Sequence, residues 1–249
     1  MKDPRRERFF RVLAVFFSFA VPLCLFPARA LSGVVVHDLV AVKDRKIMLR
    51  AETTGRLFSS GGELVEFFVD GKSIGKNLSG GDGIAFKSFV PEGTGIHQIR
   101  VRSNGDEGTG RLLSLDRGSA IVFVDVEGTL FGEPFPMKPR QGSQEAIGKI
   151  CERFPVVFLQ TSFVGLRVVK SWLEENAFAA APVVAWRQGA LFDEMGEKDL
   201  KIKALIAGAK VMETWKGDRP MTFSFKRVEG AERVKDWGEI SRKLQVGEN

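Results

Sequence analysis

The chain has 249 residues, 44% of them hydrophobic and 27% charged, with a formal net charge of +6. That length and apolar fraction allow more than one domain and a sizeable core. Setting aside Met1–Ala30 removes six basic and two acidic residues and leaves +2, so the basic balance does not mark a nucleic-acid surface.

The first thirty residues read as a targeting segment. Lys2, Arg5, Arg6, Arg8 and Arg11 form a basic head, Val12–Phe26 is apolar apart from Ser18 and Pro22, and Ala28-Arg29-Ala30 offers small residues for cleavage. This order predicts a secretory signal peptide over residues 1–30 and an exported protein, periplasmic or extracellular. The alternative is an uncleaved inner-membrane anchor, the one route by which this chain would meet a membrane. The apolar run falls short of the ~18 residues a spanning helix prefers, and Pro22 interrupts it. Cys24 does not make a lipoprotein signal, because Leu23 stands where a small residue is needed. Cys151 is then the only cysteine of the mature chain, which excludes an intrachain disulfide there.

Residues 31–117 read as an all-β domain. Val34–Val42, Ile47–Thr53, Leu64–Val69, Ile84–Val90, Ile96–Arg102 and Leu112–Leu115 are short β-prone runs separated by Gly- and Ser-rich turns. Short strands at such spacing predict a sandwich. Asp70-Gly71 is a hairpin turn signal. His97 is expected as a strand residue, since its one companion, His37, is distant in sequence. The stretch FFVDGKSIGKN, followed later by GIHQIRVRS, resembles bacterial immunoglobulin-like modules. Nothing in this half suggests chemistry, so adhesion, spacing or substrate positioning are its candidate roles, with a protein partner bound through it.

After the polar junction Asp116–Ser119 the pattern changes, and residues 118–249 alternate strands with helices. Ala120–Leu130 (AIVFVDVEGTL) opens the series: four apolar β-formers run into Asp125, with Glu127, Gly128 and Thr129 in the turn beyond. A continuous apolar run predicts a strand buried on both faces, delivering its first acid to the sheet's carboxyl end, where open α/β sheets hold ligands. Two carboxylates two residues apart suit a nucleophile and an acid/base partner. Gly128 would admit a close ligand, and Thr129 would tie the turn. The competing reading is a buried strand ending in a solvated acidic turn.

Beyond it, Ala146, Ile147, Ile150, Cys151 and Phe154 predict a helix stopped by Pro155, and Val156–Leu159 a second strand. Leu166, Val169, Trp172 and Leu173 predict a helix ending near Asn176, and Pro182–Trp186 a third strand. Leu200–Met212 reads as an amphipathic helix, Met221–Phe225 as a fourth strand, and Trp237, Ile240 and Leu244 as a closing helix. Such alternation predicts a parallel sheet with right-handed crossovers.

Asp125-Val126-Glu127-Gly128-Thr129-Leu130 resembles the first motif of the haloacid dehalogenase (HAD) superfamily, an Asp-x-Asp-x-Thr loop after an apolar strand. Glu127 replaces the second Asp, as in the enolase-phosphatase branch. Thr161–Asn176 (TSFVGLRVVKSWLEEN) is similar to the corresponding region of the lipin and phosphatidylinositol-transfer-protein branch. The resemblance spans Ala120 to about Leu244. It implies a HAD-like α/β domain with a parallel sheet, in which Asp125 attacks phosphorus and Glu127 serves as acid and base. Thr161 and Lys201 would hold the phosphoryl group, with Lys203 second to Lys201, and Gly128, Thr129 and Ser162 would contact substrate. It also implies Mg²⁺ on Asp125, Glu127 and a fourth-strand acid. After Met221–Phe225 this chain has Lys226-Arg227-Val228-Glu229, so Glu229 is the metal candidate, ahead of Glu232 and Asp218.

The intervals from Asp125 to Thr161 and on to Lys201 leave no room for a lid domain, so an active site here would be open, favouring a bulky or macromolecular phosphate ester (a phosphorylated small molecule, lipid or macromolecule), or would use the β domain as its cover. Three functions compete: an exported HAD-like phosphatase, a catalytically degenerate HAD-fold binding protein of the envelope, and a structural envelope protein with an incidental acidic loop.

Overall fold

The computed structural model describes residues 33–54, 61–133, 137–161, 164–215 and 220–246. The described residues form one compact unit. The targeting segment over residues 1–30 lies outside the described residues, as do Ser162 and Asp218.

The N-terminal half is a two-sheet β sandwich. Its strands are β1 (Gly33–Val36), β2 (Leu39–Val42), β3 (Ile47–Thr54), β4 (Leu64–Val69), β5 (Lys72–Leu78), β6 (Ile84–Phe89), β7 (Gly95–Ser103) and β8 (Asp106–Leu115). One sheet is ordered β1-β3-β6 and the other β2-β8-β7-β4-β5. Val34, Leu49, Ala51, Val65, Phe67, Ile99, Val101 and Leu112 close the core between them. The single run expected over Val34–Val42 is two strands, because the chain changes sheets at His37-Asp38. Asp70 and Gly71 both take left-handed conformations (φ 49° and 80°), as a tight β4–β5 hairpin requires.

The C-terminal half is a six-stranded parallel sheet with helices on both faces. β9 (Ala120–Asp125) leads through a π-helical turn (Val126–Leu130) into the hairpin β10 (Phe131–Glu133) and β11 (Lys138–Pro139). There follow α1 (Ser143–Cys151), β12 (Val156–Gln160), α2 (Leu166–Glu175), β13 (Val183–Ala185), α3 (Ala190–Glu197), β14 (Lys201–Ile206), α4 (Ala209–Met212), β15 (Met221–Ser224), β16 (Glu232–Arg233) and α5 (Trp237–Val246). The strand order is β13-β12-β9-β14-β15-β16. The chain therefore builds outward from β9 on one side and returns to β14 on the other. The reversal falls between β9 and β14, the place where such sheets open a crevice at their carboxyl ends.

β9 is buried on both faces. Val122 and Val124 pack with Ile147, Ile150, Trp172, Trp237 and Ile240, while Ile121 and Phe123 pack with Leu191, Phe192, Met195 and Val211. Val40, Val42, Leu113 and Leu115 of the sandwich join that second cluster, so the two halves share a core. Asp38 pins the seam. Its side chain is fully buried, and it accepts hydrogen bonds from Lys170 Nζ (2.5 Å), the Arg111 amide (2.8 Å) and the Val183 amide (2.7 Å).

One element needs correction. Leu200–Met212 is not a helix: Lys201–Ile206 is a strand, and only Ala209–Met212 is helical. Ala204 and Ile206 face one core while Leu205 and Ala207 face the other. A short strand buried on both faces shows an apolar run that periodicity does not separate from a helix.

Candidate functional site

The site is built at the carboxyl ends of β9, β12 and β14. Leu159 of β12 lies opposite Asp125, and Ile206 of β14 lies opposite Val124, so the residues after each strand meet over Asp125. Asp125 is 2% exposed. It caps the π-helical turn, its Oδ1 accepting from the Gly128 amide at 3.0 Å. Thr129 Oγ1 donates to the Asp125 carbonyl at 2.5 Å and is wholly buried, so that hydroxyl locks the turn and does not face a ligand. Gly128 is required sterically, because a Cβ there would collide with Asp125 Oδ2.

Thr161, just beyond β12, brings the two acids together. Its hydroxyl lies 2.7 Å from Asp125 Oδ1 and 3.1 Å from Glu127 Oε2, and its amide donates to the same Glu127 oxygen at 3.0 Å. A threonine has one hydroxyl hydrogen, so it serves one of the two carboxylates at a time. From the other side, the Gly208 amide donates to Asp125 Oδ2 at 3.1 Å. Burial pushes the Asp125 carboxyl above its ordinary pKa; the bonds from Gly128, Thr161 and Gly208 pull it back, and the Glu127 charge pushes it up again.

Of the sequence candidates, Asp125, Glu127, Gly128 and Thr161 converge here. Lys201 does not. It pairs with Ala120 at the start of β9, and its amide donates to the Ser119 carbonyl, which places it at the opposite end of the sheet. Lys203 lies over the Phe154 ring, near that same end. The cation that does reach the site is Lys210 on α4, whose Nζ donates to the Thr161 carbonyl at 2.5 Å and lies 5.3 Å from the centre of the Trp186 ring. The helical spacing over Leu200–Met212 places Gly208 and Lys210 mid-helix, which hides both as site residues. The signal was present: an apolar run ending at Gly208, with a lysine two residues on.

The metal residues are also rearranged. The strand beside β9 is β14, with β15 one place further out. Glu229 follows β15 and is exposed, and Lys226 and Arg227 share that outer position, so none of the three adjoins Asp125 by sheet order. β14 itself runs into Ala207-Gly208 and carries no acid.

Mg²⁺ requires octahedral oxygen ligands with one or two carboxylates free to bind. Here Asp125 Oδ2 faces an N–H donor and the Gly128 backbone, and Oδ1 takes two further hydrogen bonds. Among the described residues no group of three or more His, Cys, Asp or Glu is placed to hold a metal ion. Of the expected metal set only Asp125 and Glu127 reach the site, and Asp125 is bonded to three donors, so the expected Mg²⁺ site is not assembled by these residues.

The chain matches no protein-family model and no curated protein sequence. Solved structures similar to about a third of it are β domains. The CARDB domain of a Pyrococcus furiosus protein is 12% identical, with 33% of this chain and 93% of that chain covered at a TM-score of 0.28. The D00–D0 domain of intimin is 12% identical, with 33% and 46% covered at 0.28. The fibronectin(III)-like modules of Clostridium thermocellum CbhA are 20% identical, with 33% and 97% covered at 0.25. At such scores the likeness bears on neither the site nor its chemistry. No described helix is long and apolar enough to cross a membrane.

Proposed function

We propose that this is an exported envelope protein whose C-terminal half is a catalytically degenerate, HAD-like binding domain beside an immunoglobulin-like sandwich. One observation carries the reading: both oxygens of the buried Asp125 carboxylate are already engaged, by Gly128, Thr161 and Gly208. A nucleophile needs a lone pair in line with the incoming phosphorus; Oδ1 is taken up by the Gly128 amide and the Thr161 hydroxyl, and Oδ2, bonded to the Gly208 amide, is hemmed in by the Gly128 backbone. The strand order and the acidic turn support the HAD-like assignment, and the acid-free end of β14 supports the loss of hydrolysis. Export rests on the composition of Met1–Ala30.

A phosphatase remains the second reading, favoured by the convergence of Asp125, Glu127 and Thr161 within hydrogen-bond distance. In that reaction an Asp125 oxygen bonds to phosphorus as the ester oxygen leaves with a proton from Glu127. Glu127 then takes a proton from water, which attacks the aspartyl-phosphate and releases phosphate. Incubating the purified protein with an aryl phosphate, with and without Mg²⁺, separates the two. The binding reading expects no turnover above buffer. Turnover abolished by Asp125→Asn would establish the phosphatase instead.

A further inference from the structure

A cavity of about 260 Å³ lies at one end of the sandwich, between the β4–β5 hairpin and the segment that joins β6 to β7. Val69, Ile74 and Phe89 give it apolar walls, and the His97 ring also lines it. Nδ1 of that ring lies 2.7 Å from Asp70 Oδ2 on the hairpin, and Nε2 lies 3.1 Å from the Gly93 carbonyl on the joining segment. We infer that His97 is a pH-operated latch on this cavity: protonated, it holds the joining segment to the hairpin, and neutral, it releases Gly93.

A carboxylate and a carbonyl only accept hydrogen bonds, so the two contacts require an N–H on each ring nitrogen, which the imidazolium alone has. A neutral ring keeps one N–H. The charged acceptor holds it more strongly, which leaves a lone pair facing the Gly93 oxygen. Asp70 is the fixed end: its Oδ1 accepts from the Gln98 amide at 2.8 Å, and its own amide donates to the Gln98 carbonyl at 2.9 Å. Gly93 is the free end. The Pro91 carbonyl is tied to the Asp44 amide, and Gly95 opens β7, so only Glu92, Gly93 and Thr94 depend on the latch. Asp70 and Lys72 of the hairpin and Glu92 of the joining segment line the cavity with His97, while Leu112, opposite it on β8, brings no charge. Lys72 and Glu92 oppose each other in sign, which leaves Asp70 to set the direction. Burial draws the ring down, yet its bonds to Asp70 and Gly93 outweigh that and leave its pKa above 6.5. The latch is therefore closed in acid and opens as pH rises through that higher value. It is carried by the sandwich and does not depend on how Asp125 is used.

Nitrogen-15 NMR of the whole protein, titrated from acid to mildly alkaline pH, tests the latch. The His97 ring should titrate above 6.5. With the same midpoint, the backbone order parameters of Gly93 and Thr94 should fall from about 0.85 toward about 0.6, while those of Val69 and Asp70 hold steady. His97→Gln should make the order of the joining segment independent of pH. Asp70→Asn keeps an acceptor and suits the left-handed conformation there (φ 49°) but removes the charge, so the His97 midpoint and the release of Gly93 should move down together. Equal order of Gly93 and Thr94 on both sides of the midpoint, a His97 midpoint at or below 6.5, or a pH-dependent release that survives in His97→Gln would each overturn the latch. Release that does not follow the shifted midpoint in Asp70→Asn would overturn it even where His97→Gln fails to fold.

Discussion

The Gly208 amide donates a hydrogen bond to Asp125 Oδ2 across 3.1 Å, joining the ends of two adjacent strands whose residues lie 83 positions apart. The acid read from sequence as a nucleophile is thus also the tie that closes the sheet's switch point. Asp125→Asn makes the two roles separable. The amide keeps the shape but turns one acceptor oxygen into a donor facing Gly208, or facing Gly128 and Thr161. Leaving a buried donor opposed by a donor should cost about 1–3 kcal/mol, read as a lowered urea midpoint. Unchanged stability would show that the carboxylate is not structural.

The seam between the halves gives a second test. Lys170 and Asp38 meet at 2.5 Å, with side-chain exposures of 14% and 0%. Lys170→Met removes one partner and leaves a buried carboxylate with only the Arg111 and Val183 amides. The loss should be about 3 kcal/mol, near the low end for a broken buried pair because those two amides remain. Because Val40, Val42, Leu113 and Leu115 sit in the core of the α/β half, denaturation of the wild type should be a single transition. Two separated transitions, with Lys170→Met neutral, would mean that the sandwich and the sheet fold independently.

The strand carrying Asp125 was legible in sequence because four consecutive β-formers ending in an acid leave little else to read. Thr161 was legible for the same reason, at the end of the next buried run. The sandwich was legible as strands and turns, although β5, polar and largely exposed, gave no alternating signal. β14 was not legible. Its residues satisfy a helical spacing as well as a buried-strand run, and only the neighbours β9 and β15 decide between them. That one ambiguity moved the site lysine from Lys210 to Lys201 and the expected acid from the end of β14 to the end of β15.

The two histidines should titrate on opposite sides of the ordinary value of 6.5. Burial lowers His37 despite its bond to Glu52, with Arg50 and Lys170 adding to the lowering. Burial also pulls His97 down, but its bonds to Asp70 Oδ2 and the Gly93 carbonyl outweigh it and raise the net value. His97 therefore adds stability below 6.5 that is lost as pH rises through its folded pKa, while His37 removes stability as pH falls below 6.5. Their joint contribution peaks near 6.5. With only two histidines in the chain, NMR titration reads both directly, and a swapped order would contradict the geometry.

Cys151 should be inert while the protein is folded. Burial pushes its thiol to about 11, so little thiolate exists near neutral pH. Alkylation by iodoacetamide should be slow in buffer and rapid in denaturant. Fast labelling of the native protein would place the thiol in a more open setting.

Gly208→Asp tests why the metal site fails. A Cβ at Gly208 would lie 3.4 Å from Asp125 Oδ2 and 3.6 Å from the Gly128 Cα, ordinary contact distances, and its φ of −79° suits any residue. The substitution therefore places a carboxylate beside Asp125 at the end of the correct strand without a steric penalty. In EDTA, two neighbouring acids repel, so the variant should melt below the wild type, with any gain from Asp as a helix cap setting a limit on the loss. Mg²⁺ should then restore stability by mass action, about 2.7 kcal/mol at a hundredfold excess over its dissociation constant, while the wild type shows no Mg²⁺-dependent shift. Asp at 226, after β15, should give no such gain, because β14 lies between β15 and β9. A saturable Mg²⁺ shift in the wild type would show that Asp125 releases its hydrogen bonds to bind metal, and the degenerate reading would fall.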